Sequence, residues 1–367
     1  METMVKANAT PLKIMCLMAV ALPMLLACSS KPLVNYSKDS PPVVLLPISQ
    51  AGIEDGRARF REIFCAVLER HGENLPDYRP CTEAMTRIGL EPEGTGRAVY
   101  LGPSKNNLVA AVVPGVGWEC IAEWLNAEDT AIKHVRSLGY DATLVKVDGL
   151  SGSANNARQI RDAAMNIPEE SRHLPIVLIG YSKGAPDILE AVVEYPELRE
   201  RIVAVTSIAG AVGGSPIANG ATQDQANLMR HFPGAKCDSS DGGAVESLRP
   251  AIRQSWLATH SLPNDLDYYS LVAYPEPERI SSVLSASYNK LSYIDSRNDG
   301  QLLFYDQLIP GSTLLGYLNG DHWALVIPIA RTHSFVGSTF ANRNDYPREA
   351  LLEAILRFIE EDLENKK

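Results

Sequence analysis

The segment Leu174–Val193 constrains the fold more than any other part of the chain. An unbroken apolar run, Leu174–Gly180, leads into Gly180-Tyr181-Ser182-Lys183-Gly184, and a helix-like stretch, Pro186–Val193, follows at once. A short apolar run bounded by glycine reads as a strand buried on both faces. The Gly-x-Ser-x-Gly between strand and helix then demands a sharp turn. Residues two positions either side of the serine must be nearly free of side chain, or they collide across the turn. The serine itself is lifted clear of the sheet, with the N-terminus of the following helix directing free N–H groups at any negative charge formed there.

The same alternation extends on both sides. Asn107–Pro114, Asp141–Val147 and Arg201–Ile208 are strand-like, while Trp118–Leu138 and Asn156–Met165 are helix-like. Apolar strands alternating with helices specify an α/β fold whose mostly parallel sheet is covered on both faces. Alternation stops over 219–265, a polar Gly/Ser-rich insertion with one helix expected near Ala244–Leu257, of the kind that caps a site. Strand character returns at Tyr268–Tyr274 and Thr313–Leu318, and a final helix is expected from Pro347 to about Leu363. Before the core, Arg57–His71 has helical spacing and a second helix is expected near Cys81, so 51–95 reads as a helical hairpin laid on the main body, 96–367.

The N-terminus reads as a processing signal. Lys6 and Lys13 precede the apolar stretch Ile14–Ala27, too short to span a bilayer comfortably, and Leu25-Leu26-Ala27-Cys28 resembles a bacterial lipobox. Residues 1–27 are therefore expected to be removed and Cys28 acylated, leaving 28–50, with four prolines, as a tether. Ser29 after the cysteine directs the expectation to the outer membrane, facing the periplasm. Residues 1–27 carry one Glu and two Lys, so removing them changes the net charge from −10 to −11. With no basic patch, nucleic acid is not an expected partner. Four cysteines remain, Cys65, Cys81, Cys120 and Cys237, an even number in an oxidising compartment. Of their three possible pairings, Cys65–Cys81 is expected because a short loop joins two helix-like segments, which leaves Cys120–Cys237.

Residues 100–210 and 265–335 resemble the α/β-hydrolase superfamily, in particular its bacterial lipases and esterases. The resemblance lies in Gly180–Asp187 and in Ala209–Pro216 (AGAVGGSP) after the next strand. It implies a serine hydrolase cleaving small-molecule or lipid esters, with Ser182 as nucleophile and, in chain order, an acid and a histidine after it. His322 fits best: Asn319-Gly320-Asp321-His322-Trp323 is a turn directly after the last apolar strand, whereas His231 and His260 fall within the insertion. The acid is expected at Asp299, in a turn-type Asn298-Asp299-Gly300, with Asp295 as runner-up. Asp306 lies too near His322 along the chain, and Asp321 adjoins it. The Lys183 amide should donate to the oxyanion, together with Val116, or Gly117 as second choice, from Pro114-Gly115-Val116-Gly117-Trp118, where proline stands in place of the family's histidine. A phosphate-loop reading of Gly115–Gly117 lacks the third glycine and the Lys-Ser/Thr signature. No cofactor is expected, and there is no His-Glu-x-x-His or Cys-x-x-Cys; Asp238–Gly243 lacks the remaining ligands of a calcium loop. Thioesters, amides and acyl transfer use the same constellation, and a non-catalytic envelope protein on this fold is the competing class.

Overall fold

The computed structural model describes residues 52–105, 108–125, 130–168, 171, 173–222, 237 and 240–366. The signal at 1–27, Cys28, all of the tether and much of the insertion lie outside these residues. The core is an eight-stranded sheet: β1 (Glu54–Asp55), β2 (Met85–Thr86), β3 (Val109–Val113), β4 (Asp141–Leu144), β5 (Ile176–Tyr181), β6 (Ile202–Ile208), β7 (Asp267–Ala273) and β8 (Thr313–Leu318). Its order is β1-β8-β7-β6-β5-β3-β4, all parallel, with β2 added antiparallel to the end of β8.

The apolar runs are continuous because each central strand is buried on both sides, and the period of two divides its residues between two cores. In β5, Val177, Ile179 and Tyr181 join one cluster, whereas Ile176 and Leu178 join the other. In β3, Ala110 packs with the first set, and Val109, Ala111 and Val113 with the second. The helices of eight or more residues among those described are α1 (Arg57–His71), α2 (Trp118–Leu125), α3 (Thr130–Ser137), α4 (Ser153–Met165), α5 (Gly184–Glu194), α6 (Pro250–Thr259), α7 (Ser285–Ser292) and α8 (Arg348–Asn365). Phe60 and Phe64 of α1 and Ile355 and Phe358 of α8 fill the first core; Ile160 of α4 and Ile188 and Leu189 of α5 fill the second. Fully burying one such side chain contributes roughly 1.5–3 kcal/mol, so these clusters supply most of what favours the folded chain.

The N-terminal segment departs from a two-helix hairpin. Its first arm is the helix α1, but the second is a single turn, Cys81–Ala84, which passes directly into β2. Pro80 before the turn and the extended Met85 after it leave no room for a longer helix. Met85 and Thr86 pair with Leu318 and Tyr317, while Glu54 and Asp55 pair with Thr313 and Leu314, so the segment covers the free edge of β8. The Cys65–Cys81 disulfide closes it on itself, and Arg59 joins it to Glu361 of α8.

The helix expected near 244–257 is broken in two, Ala244–Ser247 and α6, because Pro250 cannot continue a helix but suits the first turn of a new one. Arg253 of α6 is buried against Glu190 of α5 at 2.8 Å, and the second disulfide, Cys120–Cys237, ties the insertion to α2. No described helix is long and apolar enough to cross a membrane.

Candidate active site

The sharp turn after β5 has the backbone that the motif requires. Ser182 lies in the left-handed region at φ +53°, a conformation costing a residue with a side chain about 1–2 kcal/mol. The two glycines are needed because of close approach, not because of their own torsions. A Cβ on Gly180 would stand 2.6 Å from the backbone N and Cα of Ala185, and one on Gly184 only 2.2 Å from the Val113 carbonyl oxygen. The turn is thereby pressed onto the end of β3, so the loop after β3 borders the serine. Ser182 N–H donates to the Ile208 carbonyl at 3.2 Å, and its own carbonyl accepts from Ala185 and Ala211.

Two side chains from distant parts of the chain reach this serine. His322 Nε2 is 2.9 Å from Ser182 Oγ, and His322 Nδ1 is 2.7 Å from Asp299 Oδ2. The line from hydroxyl to carboxylate is nearly dry: Ser182 is 8% exposed, His322 4% and Asp299 0%. Asp299 comes from the tight turn after α7. Its Oδ1 accepts N–H bonds from Gln301 (2.8 Å) and Leu302 (2.7 Å), which fixes the carboxylate plane and leaves Oδ2 facing the imidazole. His322 stands in the turn after β8, and its N–H donates to the Asp299 carbonyl at 3.0 Å, so main chain and side chain join the two loops in parallel.

The other acids occupy separate roles. Asp295 is clamped by Arg297 at 2.6 Å, which draws its carboxyl below the usual range against the opposing effect of burial. Asp321 turns away from the imidazole beside it and caps its own loop, accepting N–H bonds from Trp323, Ala324 and Ser281. Burial raises its pKa nonetheless, and the nearby Asp299 charge adds to the rise. Asp306 is buried with its carboxyl unbonded, and desolvation alone pushes its pKa up to about 7. His260 lies over Trp256 on the insertion, at a ring separation of 4.8 Å; His231 lies outside the described residues.

Around the serine, the Gly117 N–H is engaged by the Gly149 carbonyl at 3.1 Å, and Trp118 N–H by Gly115. Val116 and Lys183 N–H make no such backbone bond, which leaves these two amides as available donors. The Lys183 side chain runs the other way. It is 1% exposed, and its Nζ lies 2.7 and 2.8 Å from the two oxygens of Asp187, which also accepts from Asn156 at 2.7 Å. The hydroxyl and imidazole open into a cavity of about 230 Å³ whose walls are mostly apolar, among them Trp118, Ile121, Ile217 and Leu302. Val245 and Leu248 of the insertion complete it, so that segment shapes the site.

Three contributors carried no readable signal in the sequence. Gln307 donates to Asp299 Oδ2 at 3.4 Å while bridging both backbone groups of Ala273 at the end of β7. Tyr181 donates to the His322 carbonyl at 2.6 Å, and burial with two nearby carboxylates keeps its phenol protonated. The buried Asp187 is visible only as an acid four residues after Lys183, a spacing common on exposed helices.

Solved structures of known proteins share this architecture. The chain is 41% identical to a metagenomic carboxyl esterase, MGS0156, over 88% of its own length and 97% of that protein's, with a TM-score of 0.81. The mature Bacillus licheniformis lipase BlEst2 matches at 20% identity over 66% of this chain and 95% of its own, TM-score 0.50. The Staphylococcus hyicus lipase matches at 13% identity over 72% of this chain and 98% of its own, also at 0.50, and these two show likeness of fold alone. No protein-family model and no curated sequence matches the chain.

Proposed function

From the premise that this chain belongs to the α/β-hydrolase family, we propose that it hydrolyses carboxylic esters through an acyl-enzyme on Ser182. The observation that carries this reading is the unbroken line Ser182 Oγ, His322 Nε2, His322 Nδ1, Asp299 Oδ2, with both hydrogen bonds under 3 Å. In this scheme His322 takes the Ser182 proton as Oγ attacks the ester carbonyl, and Asp299 holds the tautomer and stabilises the imidazolium. The Lys183 and Val116 amides receive the oxyanion, where each such donor contributes about 10²–10³ in rate. His322 returns its proton to the leaving alkoxide. It then draws a proton from water, whose oxygen attacks the acyl carbon, and passes that proton to Ser182 Oγ as the bond to the acid breaks.

The 41% identity to a carboxyl esterase supports an ester as substrate, and the apolar cavity wall supports an apolar acyl group. A fluorophosphonate probe tests the nucleophile, and a p-nitrophenyl ester tests the reaction. One label per chain and steady ester turnover, both lost in Ser182→Ala, are the expected outcome. A folded wild type that neither labels nor turns over would place the protein among non-catalytic relatives of the fold.

A further inference from the structure

Away from the cavity, three side chains able to hold a metal converge from three helices. His71 closes α1, His134 lies in the last turn of α3, and Glu353 belongs to α8. The two imidazoles address the same oxygen: His71 Nε2 is 2.9 Å and His134 Nε2 2.6 Å from Glu353 Oε2. The rings stand at 81° with centroids 4.9 Å apart, and the three donor atoms all lie within 4.8 Å of one another. The other carboxylate oxygen is occupied, because Oε1 accepts from Arg357 Nε at 2.7 Å. Arg357 is itself fixed by the carbonyls of Tyr100 and Gly102. Glu353 therefore offers Oε2 from a set orientation, as an outer partner does for a metal-bound carboxylate.

We propose that His71, His134 and Glu353 bind one divalent transition-metal ion, with zinc as the best match, and that this ion fastens α1 to the two helices beneath it. Two imidazole nitrogens and one carboxylate oxygen form a borderline donor set, suited to zinc, cobalt or nickel and poorly suited to calcium or magnesium. Tetrahedral bonds of about 2.0–2.1 Å hold ligand atoms roughly 3.3 Å apart, so the two nitrogen–oxygen separations must widen by about half an ångström. His71 has room to do so. It stands at the end of α1 just before Gly72, whose φ is +52°, and its side chain is 23% exposed against 11% for His134 and none for Glu353. That gradient gives the ion a way in and leaves a fourth position for water. Each neutral imidazole coordinates through Nε2 after its proton moves to Nδ1, so binding by the neutral rings releases no proton. None of the three residues borders the serine cavity, which makes the site independent of the ester chemistry.

The test uses full-length, tag-free protein treated with EDTA and titrated with cobalt(II), then zinc. Expected are a cobalt absorption band that saturates at one ion per chain, its displacement by zinc, and a zinc-dependent rise in Tm. At zinc 100-fold above its Kd, the unfolded-to-folded ratio should fall about 100-fold. His71→Gln should stay folded by circular dichroism, lose the band and bind zinc at least tenfold more weakly; Glu353→Gln should also lose the band. If folded wild type develops no one-to-one cobalt spectrum, or if folded His71→Gln binds zinc as the wild type does, the proposal is overturned. His71→Gln decides the matter even if the more buried variants fail to fold.

Discussion

Replacing Asp299 by Asn probes the proposed chemistry while sparing the fold. Asp299 makes two kinds of bond through two different oxygens. Oδ1 accepts from Gln301 and Leu302, which an amide oxygen can also do, so the turn should survive. Oδ2 faces His322 Nδ1 at 2.7 Å, and there the variant must present NH₂, a donor. The imidazole can meet a donor only by making Nδ1 the acceptor and moving its proton to Nε2. Nε2 would then carry a proton toward Ser182 Oγ, 2.9 Å away, and could not accept one. The nucleophile keeps its position and loses its base. Substitution of this kind in a Ser-His-Asp triad lowers kcat about 10⁴-fold, which corresponds to about 5.5 kcal/mol of transition-state stabilisation. The assay is steady-state hydrolysis of p-nitrophenyl butyrate by wild type and Asp299→Asn, with circular dichroism melts to confirm that both are folded. KM should change little, because the carboxylate touches the imidazole and not the cavity. A folded Asp299→Asn with kcat within tenfold of wild type would refute the role of Asp299, and a matching loss in Asp295→Asn would transfer that role.

Two further predictions concern stability. Asp306 is buried without a hydrogen-bonding partner for its carboxylate, and desolvation raises its pKa to about 7 from an ordinary 3.8. The native state therefore holds this proton over a range where the unfolded chain releases it. The contribution is fully present below pH 4 and is lost as pH rises toward 7. Asp306→Asn, which cannot ionise, should be more stable than wild type at pH 8 by about 4 kcal/mol, a figure resting on 1.36 kcal/mol per pKa unit. Urea melts at pH 8 and pH 4.5 check this, and a difference that does not shrink at the lower pH would refute it. Gly184→Ala places a methyl 2.2 Å from the Val113 carbonyl and 2.8 Å from that of Pro114, both main chain and unable to move cheaply. A loss of about 3 kcal/mol is expected, with reduced ester turnover as the Val116 loop is pushed aside; an unchanged urea midpoint and kcat would show that the contact is relieved elsewhere.

Much of this molecule could be read from residue order. The strands are legible where burial on both faces makes them continuous, as in Ile176–Tyr181 and Ile202–Ile208, where the observed bounds differ from the expected ones by a residue or two; the edge strand expected over Asp141–Val147 ends three residues early, at Leu144. Elements held by partners rather than by their own pattern were not legible. Glu54–Asp55 and Met85–Thr86 are two-residue strands with no periodicity to show, and they exist because β8 offers an unpaired edge. Pro250 marks the break in residue order, and the single helix expected near Ala244–Leu257 runs across it. Both disulfides pair as expected, although for Cys120–Cys237 the expectation came from elimination rather than from geometry.

The candidate site divides along the same line. Ser182, His322 and Asp299 could be singled out because each sits in a turn whose local chemistry is visible: glycines flanking the serine, a turn after a strand for the histidine, Asp-Gly for the acid. The residues that hold them could not be, because their partners are remote in sequence: Tyr181 reaches His322 across 141 positions. Lys183 shows how far local reading can mislead. Its position at the start of a helix gives no sign of burial, yet its ammonium is buried against Asp187, which also accepts from Asn156. A buried ion pair of this kind is weak support for stability, since hydrophobic residues of similar volume often serve as well. What it does supply is a link, because Asp187 also accepts from Asn156 of α4. The Lys183 backbone N–H makes no bond to another backbone group, and the proposed mechanism needs it as a donor. The pair is thus better understood through the link it makes from α5 to α4 than through the energy it stores.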